Sequence, residues 1–246
     1  MSAYPLVVLV VSLAFCIVVL RQYLQRRRPY QLVWTLSLAA AAIGSLAYIV
    51  FLDGGKSALA FRIYYIGGAL LTAPLLGLGS LLLSARSEPA QRRAQWVAAL
   101  VAVLCVIGAV LLLVSPLNQR FLHDLNGGSG SDPSVYKTGL WAAFVAVLNT
   151  FGALAVIGVA LYSGWQMRQR QIASRLVGAN VLIAAGTLVI AAAGTVARLG
   201  VNDGLFWLTM AVGWVILFCG FLLTFTVHRP VGAPAQGASA AVGTRV

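Results

Sequence analysis

Seven long apolar runs decide what this chain can fold into. They cover Pro5–Leu20, Leu32–Leu52, Ile63–Leu83, Trp96–Val114, Gly139–Tyr162, Leu176–Leu199 and Phe206–Val227. A helix of ~20 apolar residues crosses the ~30 Å hydrocarbon layer of a bilayer. Strands of a membrane barrel would alternate in polarity with period two. These runs are continuous, and Trp96–Val114 holds no charge at all. In lipid the backbone must satisfy its own hydrogen bonds, so a continuous run is a helix. The expected fold is all-α: a bundle of seven transmembrane helices over residues 1–228. Residues 229–246, rich in Ala, Gly and Pro, are expected as a disordered tail.

Composition supports this. Hydrophobic residues make up 61% of the 246 and charged residues 9%, where a soluble domain has ~45–50% and ~25%. So few charges cannot cover a water-facing surface. A soluble enzyme, a disordered protein and a secreted disulfide module are excluded.

Orientation follows from the basic residues. Alternate connections carry Arg21, Arg26, Arg27 and Arg28, then Arg86, Arg92 and Arg93, then Arg168, Arg170 and Arg175, then Arg229 and Arg245. The other side has Lys56, Arg62, Arg120, Lys137 and Arg198. The positive-inside rule places the first set in the cytoplasm and the N-terminus outside. Nothing basic precedes Leu6, so the first run reads as an uncleaved span and not as a signal peptide. The net charge of +12 is therefore an orientation signal and a contact with anionic headgroups, not a nucleic-acid site. Aromatic residues fit two interface belts. Tyr23, Tyr30, Trp34, Trp96, Tyr162 and Trp165 fall at the inner one, and Phe51, Tyr64, Tyr65, Trp141, Phe206 and Trp207 at the outer one.

Spans one to three and five to seven share one orientation, with the fourth as a linker. This suggests a 3+1+3 parallel repeat. The pairs Ala40/Gly44, Ala69/Ala73 and Ala193/Ala197 have the small-xxx-small spacing that lets helix backbones approach. Pro74 should bend the third span. The one long connection, Ser115–Thr138, contains Asn126-Gly-Gly-Ser-Gly-Ser-Asp-Pro133. Its composition is that of a flexible insertion or an outer lid.

Several chemistries lack their residues. Of the two histidines, His123 lies in the outer loop and His228 at the inner end of the seventh span, so neither a bis-histidine haem nor a Ser-His hydrolase has its side chains. Cys16, Cys105 and Cys219 stand singly in different spans. They suit buried packing and not a zinc site or a disulfide. No Asp or Glu interrupts any span, where a proton-coupled carrier would place one. A retinal protein needs a lysine in the seventh span, and Phe206–Val227 has none. The Pro-Gln dipeptide of PQ-loop carriers is missing throughout. No cofactor is expected.

Polar groups do remain within the spans. Asn149 and Asn180 sit where an amide must find a partner, across helices or on a ligand. At the outer rim Arg62 and Tyr65 open the third span, Arg198 closes the sixth, and Asp203 opens the seventh. The arginines suit ion pairs with Asp203 or Asp53, snorkelling to headgroups, or a shared anionic ligand. Arg62, Tyr65, Asn149, Asn180, Arg198 and Asp203 are therefore the candidate ligand-binding residues.

The segments Pro29-Tyr-Gln-Leu-Val-Trp34, Arg62-Ile-Tyr-Tyr-Ile-Gly-Gly68, Pro74-Leu-Leu-Gly-Leu-Gly79, Asn149-Thr-Phe-Gly152, Asn180-Val-Leu-Ile-Ala-Ala-Gly186, Thr195-Val-Ala-Arg198 and Phe218-Cys-Gly-Phe221 together resemble uncharacterised seven-helix membrane proteins of actinobacteria and related bacteria. The layout is more loosely similar to the seven-helix sensor regions of bacterial histidine kinases. The resemblance implies a multi-pass protein of the cytoplasmic membrane with no assigned activity. Two function classes follow. One is a non-enzymatic sensor, ligand-binding or interaction protein, taking a small anionic or lipid-like ligand from the outer leaflet and signalling through a partner protein. The other is a small-solute transporter built on the 3+1+3 repeat.

Overall fold

Prolines mark where three of the helices begin. A computed structural model describes residues 3–54, 56–125, 139–172, 174–198 and 203–224. Helix α1 spans Tyr4–Arg26, α2 Pro29–Asp53, and α4 Glu88–Val114, and each has a proline in its first turn. There the missing N–H would be unpaired anyway. Helix α3 runs Ala58–Ser84, α5 Leu140–Gln169, α6 Ser174–Arg198 and α7 Asp203–Leu223. A short helix, Gln119–Asp124, follows α4. The fold is all-helical, and seven helices are long and apolar enough to cross a membrane. The expected spans coincide with α1–α7 in order. The chain is a polytopic, multi-pass membrane protein. Its outward surface agrees, because Leu100, Val103, Val106, Val147, Leu154 and Leu188 all stand exposed.

A widened turn precedes Pro74, where a bend is expected. Residues Tyr65–Leu71 of α3 form a π-helix, and Pro74 follows in the next turn. Hydroxyl groups serve carbonyls in and beside this widened turn. Thr72 Oγ1 donates to the Gly67 carbonyl at 2.8 Å, and Ser37 Oγ of α2 donates to the Thr72 carbonyl at 2.6 Å. Such segments recur at functional sites.

Six helices close a ring in the order α1, α2, α3, α5, α6, α7 and back to α1. Helix α4 packs against α3 and α5 from outside this ring. Exchanging α1, α2 and α3 for α5, α6 and α7 reproduces every neighbour relation in the ring. The two triplets also share a contact. Between α2 and α3, a Cβ on Gly44 would lie 2.6 Å from the Gly68 nitrogen. Between α6 and α7, a Cβ on Gly186 would lie 2.9 Å from the Gly213 oxygen. Ala40 and Gly44 thus act as the small-xxx-small pair expected, since Gly67 approaches the Ala40 carbonyl equally closely. Backbone approach of this kind holds helices together where lipid supplies no hydrophobic drive.

The aromatic residues expected at one belt correct that expectation. Phe51, Tyr64, Tyr65, Trp141, Phe206 and Trp207 are each 8% exposed or less. They pack on one another, with Tyr48–Trp207 centroids at 4.6 Å, Tyr48–Tyr64 at 4.7 Å and Tyr65–Trp141 at 5.6 Å. Ring-on-ring packing inside the bundle outweighs a seat at the headgroups. At the other end Trp96, Tyr162 and Trp165 do stand exposed, as interface residues should. Of the cysteines, Cys16 and Cys105 are buried, whereas Cys219 is exposed on the outward face of α7. All three are free thiols.

Candidate functional site

The ring encloses a cavity of about 380 Å³. All six ring helices contribute to its wall, and α4 contributes nothing. The cavity is confined to one half of the bundle. Its wall uses α3 as far as Leu76 and α5 as far as Ile157, just past the helix midpoints. The remaining half, nearer the arginine-rich connections, is filled. There Trp34 of α2 donates its indole N–H to the Leu76 carbonyl at 3.1 Å. It also presses on Gly79 and meets Phe221 of α7 edge-on at 6.2 Å. Phe15 of α1 stacks on Phe221 and Phe218 at 4.4 and 5.1 Å. Toward the opposite end of the ring, Tyr48, Tyr64 and Trp207 pack on one another.

The cavity opens sideways. Four of its wall residues are also exposed on the outside of the bundle: Thr150 and Leu154 on α5, Leu188 and Thr195 on α6. Leu154 is 66% and Leu188 61% exposed, so these side chains frame a gap between α5 and α6. The two helices meet toward their shared connection, where a Cβ on Gly164 would touch Asn180 at 3.4 Å. Farther out, a Cβ on Gly194, itself in the cavity wall, would meet nothing within 4 Å. The gap lies within the apolar spans of both helices.

The wall is mostly apolar, and none of its described residues carries a charge. Thr187 and Thr195 donate their hydroxyls to carbonyls of their own helix, Ile183 and Ala191, at 2.8 and 3.1 Å. Ser45 and Asn149 differ. Both line the cavity, and neither has a hydrogen-bond partner among the described residues. Ser45 is only 5% exposed, yet its hydroxyl is not sealed in packing. Trp207 and Trp214 also line the wall, but their indole nitrogens are covered and unpaired.

The candidate residues divide accordingly. Tyr65 and Asn149 line the cavity. Asn180 does not. It bonds the Leu176 carbonyl at 2.9 Å and reaches across to Met167 Sδ at 3.6 Å, tying α6 to α5. Arg62 turns to α4. Its guanidinium donates to the carbonyls of Leu112 at 2.8 Å, Ser115 at 2.9 Å, and Leu113. It thereby caps the C-terminal end of that helix, where backbone oxygens lack partners and a cation is favoured. Arg198 ends α6 and Asp203 begins α7, but their side chains lie outside the described residues, as do 126–138 of the long connection and the 225–246 tail. Ser45 was missed by sequence reasoning. Its signal is faint: one hydroxyl in a run of small residues. No protein family matches the chain, and no curated protein is similar to it.

Proposed function

We propose that this protein is a non-enzymatic, sensor-type binding protein of the cytoplasmic membrane, with the arginine-rich end inside the cell. It takes a membrane-dissolved ligand sideways between α5 and α6 in the outer half of the bilayer. One observation carries this reading: the exposed residues of the cavity wall, Thr150, Leu154, Leu188 and Thr195, all lie on α5 and α6. A volume of about 380 Å³ is in the range of small-molecule sites, and the apolar wall with a few polar groups is their usual character. Occupancy reaches a partner protein through the arginine-rich connections, because α5 and α6 flank the gap and join at that end.

A photoactivatable fatty chain added to the reconstituted protein should label wall residues of α5 and α6. Leu188→Trp, which fills the gap, should cut that labelling several-fold while the protein stays folded. Labelling confined to the outer surface, and unchanged by Leu188→Trp, would overturn the reading.

The ring of two like triplets favours a second reading, a carrier for small solutes. A carrier must open the filled half as well. A cysteine placed at Ala184 would then react with a water-soluble thiol reagent from the arginine-rich side, and the binding-protein reading expects it to stay unreactive.

A further inference from the structure

We infer that the cavity selects an uncharged single-chain amphiphile whose head carries a hydroxyl or carbonyl oxygen, held by Asn149 and Ser45. The inference rests on the sideways binding proposed above and adds the ligand's chemistry. Three observations lead to it.

The first is the absence of charge. No described wall residue is ionisable in the physiological range, and Arg62 is turned away, bound to three carbonyls of α4 and its following turn. A carboxylate or phosphate drawn into this wall would lose its hydration with no countercharge to replace it, at a cost far above that of a neutral group.

The second is the pair of unpartnered polar groups. Asn149 offers two donors and one acceptor, and Ser45 one donor and an acceptor. They come from different helices, α5 and α2, onto the same cavity. A polar group in a membrane interior without a partner is costly, so these two are poised for a ligand atom. A hydroxyl or carbonyl oxygen accepts from either. Thr187 and Thr195, whose protons are already given to backbone carbonyls, keep lone pairs for a ligand hydroxyl.

The third is the size and shape of the space. About 380 Å³ stands at the low end of ligand cavities and admits one chain or ring system, not a two-chained phospholipid. The gap between Leu154 and Leu188 lets the rest of that chain remain in the lipid.

The test uses the whole protein in phosphatidylcholine nanodiscs and a chain-diazirine derivative of cetyl alcohol. Labelled wall peptides of α5 and α6 are quantified while unlabelled cetyl alcohol, palmitate or hexadecane competes. Cetyl alcohol should compete best. Asn149→Ala and Ser45→Ala should each weaken its competition about fivefold, the scale of one hydrogen bond, and Ser45→Thr should restore it. Thermal unfolding without probe verifies folding of each variant, and Asn149→Leu stands in where Asn149→Ala is unstable. Equal competition by all three compounds, unaffected by the variants, overturns the neutral-oxygen inference and leaves sideways binding standing. Preference for palmitate overturns it too. Failure of the probe to label any wall residue overturns the sideways-binding reading itself.

Discussion

Arg62 shows how one side chain is taken up by structure and not by ligand. Three carbonyls at the end of α4 receive its guanidinium, and a planar fork of five donors suits that task better than an ammonium does. Arg62→Ala should therefore lower stability by about 2 kcal/mol, as expected for hydrogen bonds to a charged group. Arg62→Lys should recover only part of the loss. Binding to the cavity should be almost unchanged in both. Thermal unfolding and probe labelling of the same samples measure the two effects separately, and a large binding loss without destabilisation would return Arg62 to the ligand site. The two asparagines separate in the same way. Asn180 is occupied by Leu176 and Met167, whereas Asn149 is unoccupied on a cavity wall. Sequence shows that each amide needs a partner and leaves open which partner it has.

At the scale of the helix, close backbone contact sets what each position tolerates. A Cβ on Gly152 of α5 would lie 2.8 Å from the Pro74 nitrogen and closer still to the Ala73 carbonyl, both of them backbone atoms of α3 that cannot swing aside. Gly152→Ala should destabilise by roughly 1–3 kcal/mol, the cost of overpacking. Gly158 lies on the same helix, less than two turns on, and a Cβ there would meet nothing within 4 Å. Gly158→Ala should be neutral or stabilise by up to ~1 kcal/mol through helix propensity. Unfolding of both variants in the same detergent compares them directly, and equal effects would show the α3–α5 contact to be looser than described. The seven helices and their order were legible in sequence because length and hydropathy alone define a span. Which face of each span looks inward was not legible. Lipid and protein core are both apolar, so polarity does not separate the two faces as it does in a water-exposed helix. That is why Trp96 and Trp207 read alike as interface residues, and only the packing shows one exposed and the other buried. It is also why Ser45, inward-facing and unpaired, was indistinguishable from the small residues beside it.

Over the whole molecule, the arginine-rich connections gather at one end and the cavity lies in the other half. With that end in the cytoplasm, a reporter inserted after Ser129 should be active only outside the cell, and one fused after Arg245 only inside. Reversal at either site would place the gap in the inner leaflet and change the source of the ligand. Sequence counting yields this orientation from the loops without reference to packing, and the ring adds which leaflet the gap would face.

The position of α4 outside the ring has a further meaning, one of parity. Three crossings leave a chain on the side opposite to where it began. A second triplet running in the same sense can start only after the chain has been carried back, and a single extra crossing does that. Such a crossing needs no place among the six that surround the cavity. It needs only to be apolar, long enough, and fastened at its far end, which Arg62 does. Its outward face is thus the part of the protein whose sequence can change most freely, and the closest thing in the molecule to a length of thread between two beads.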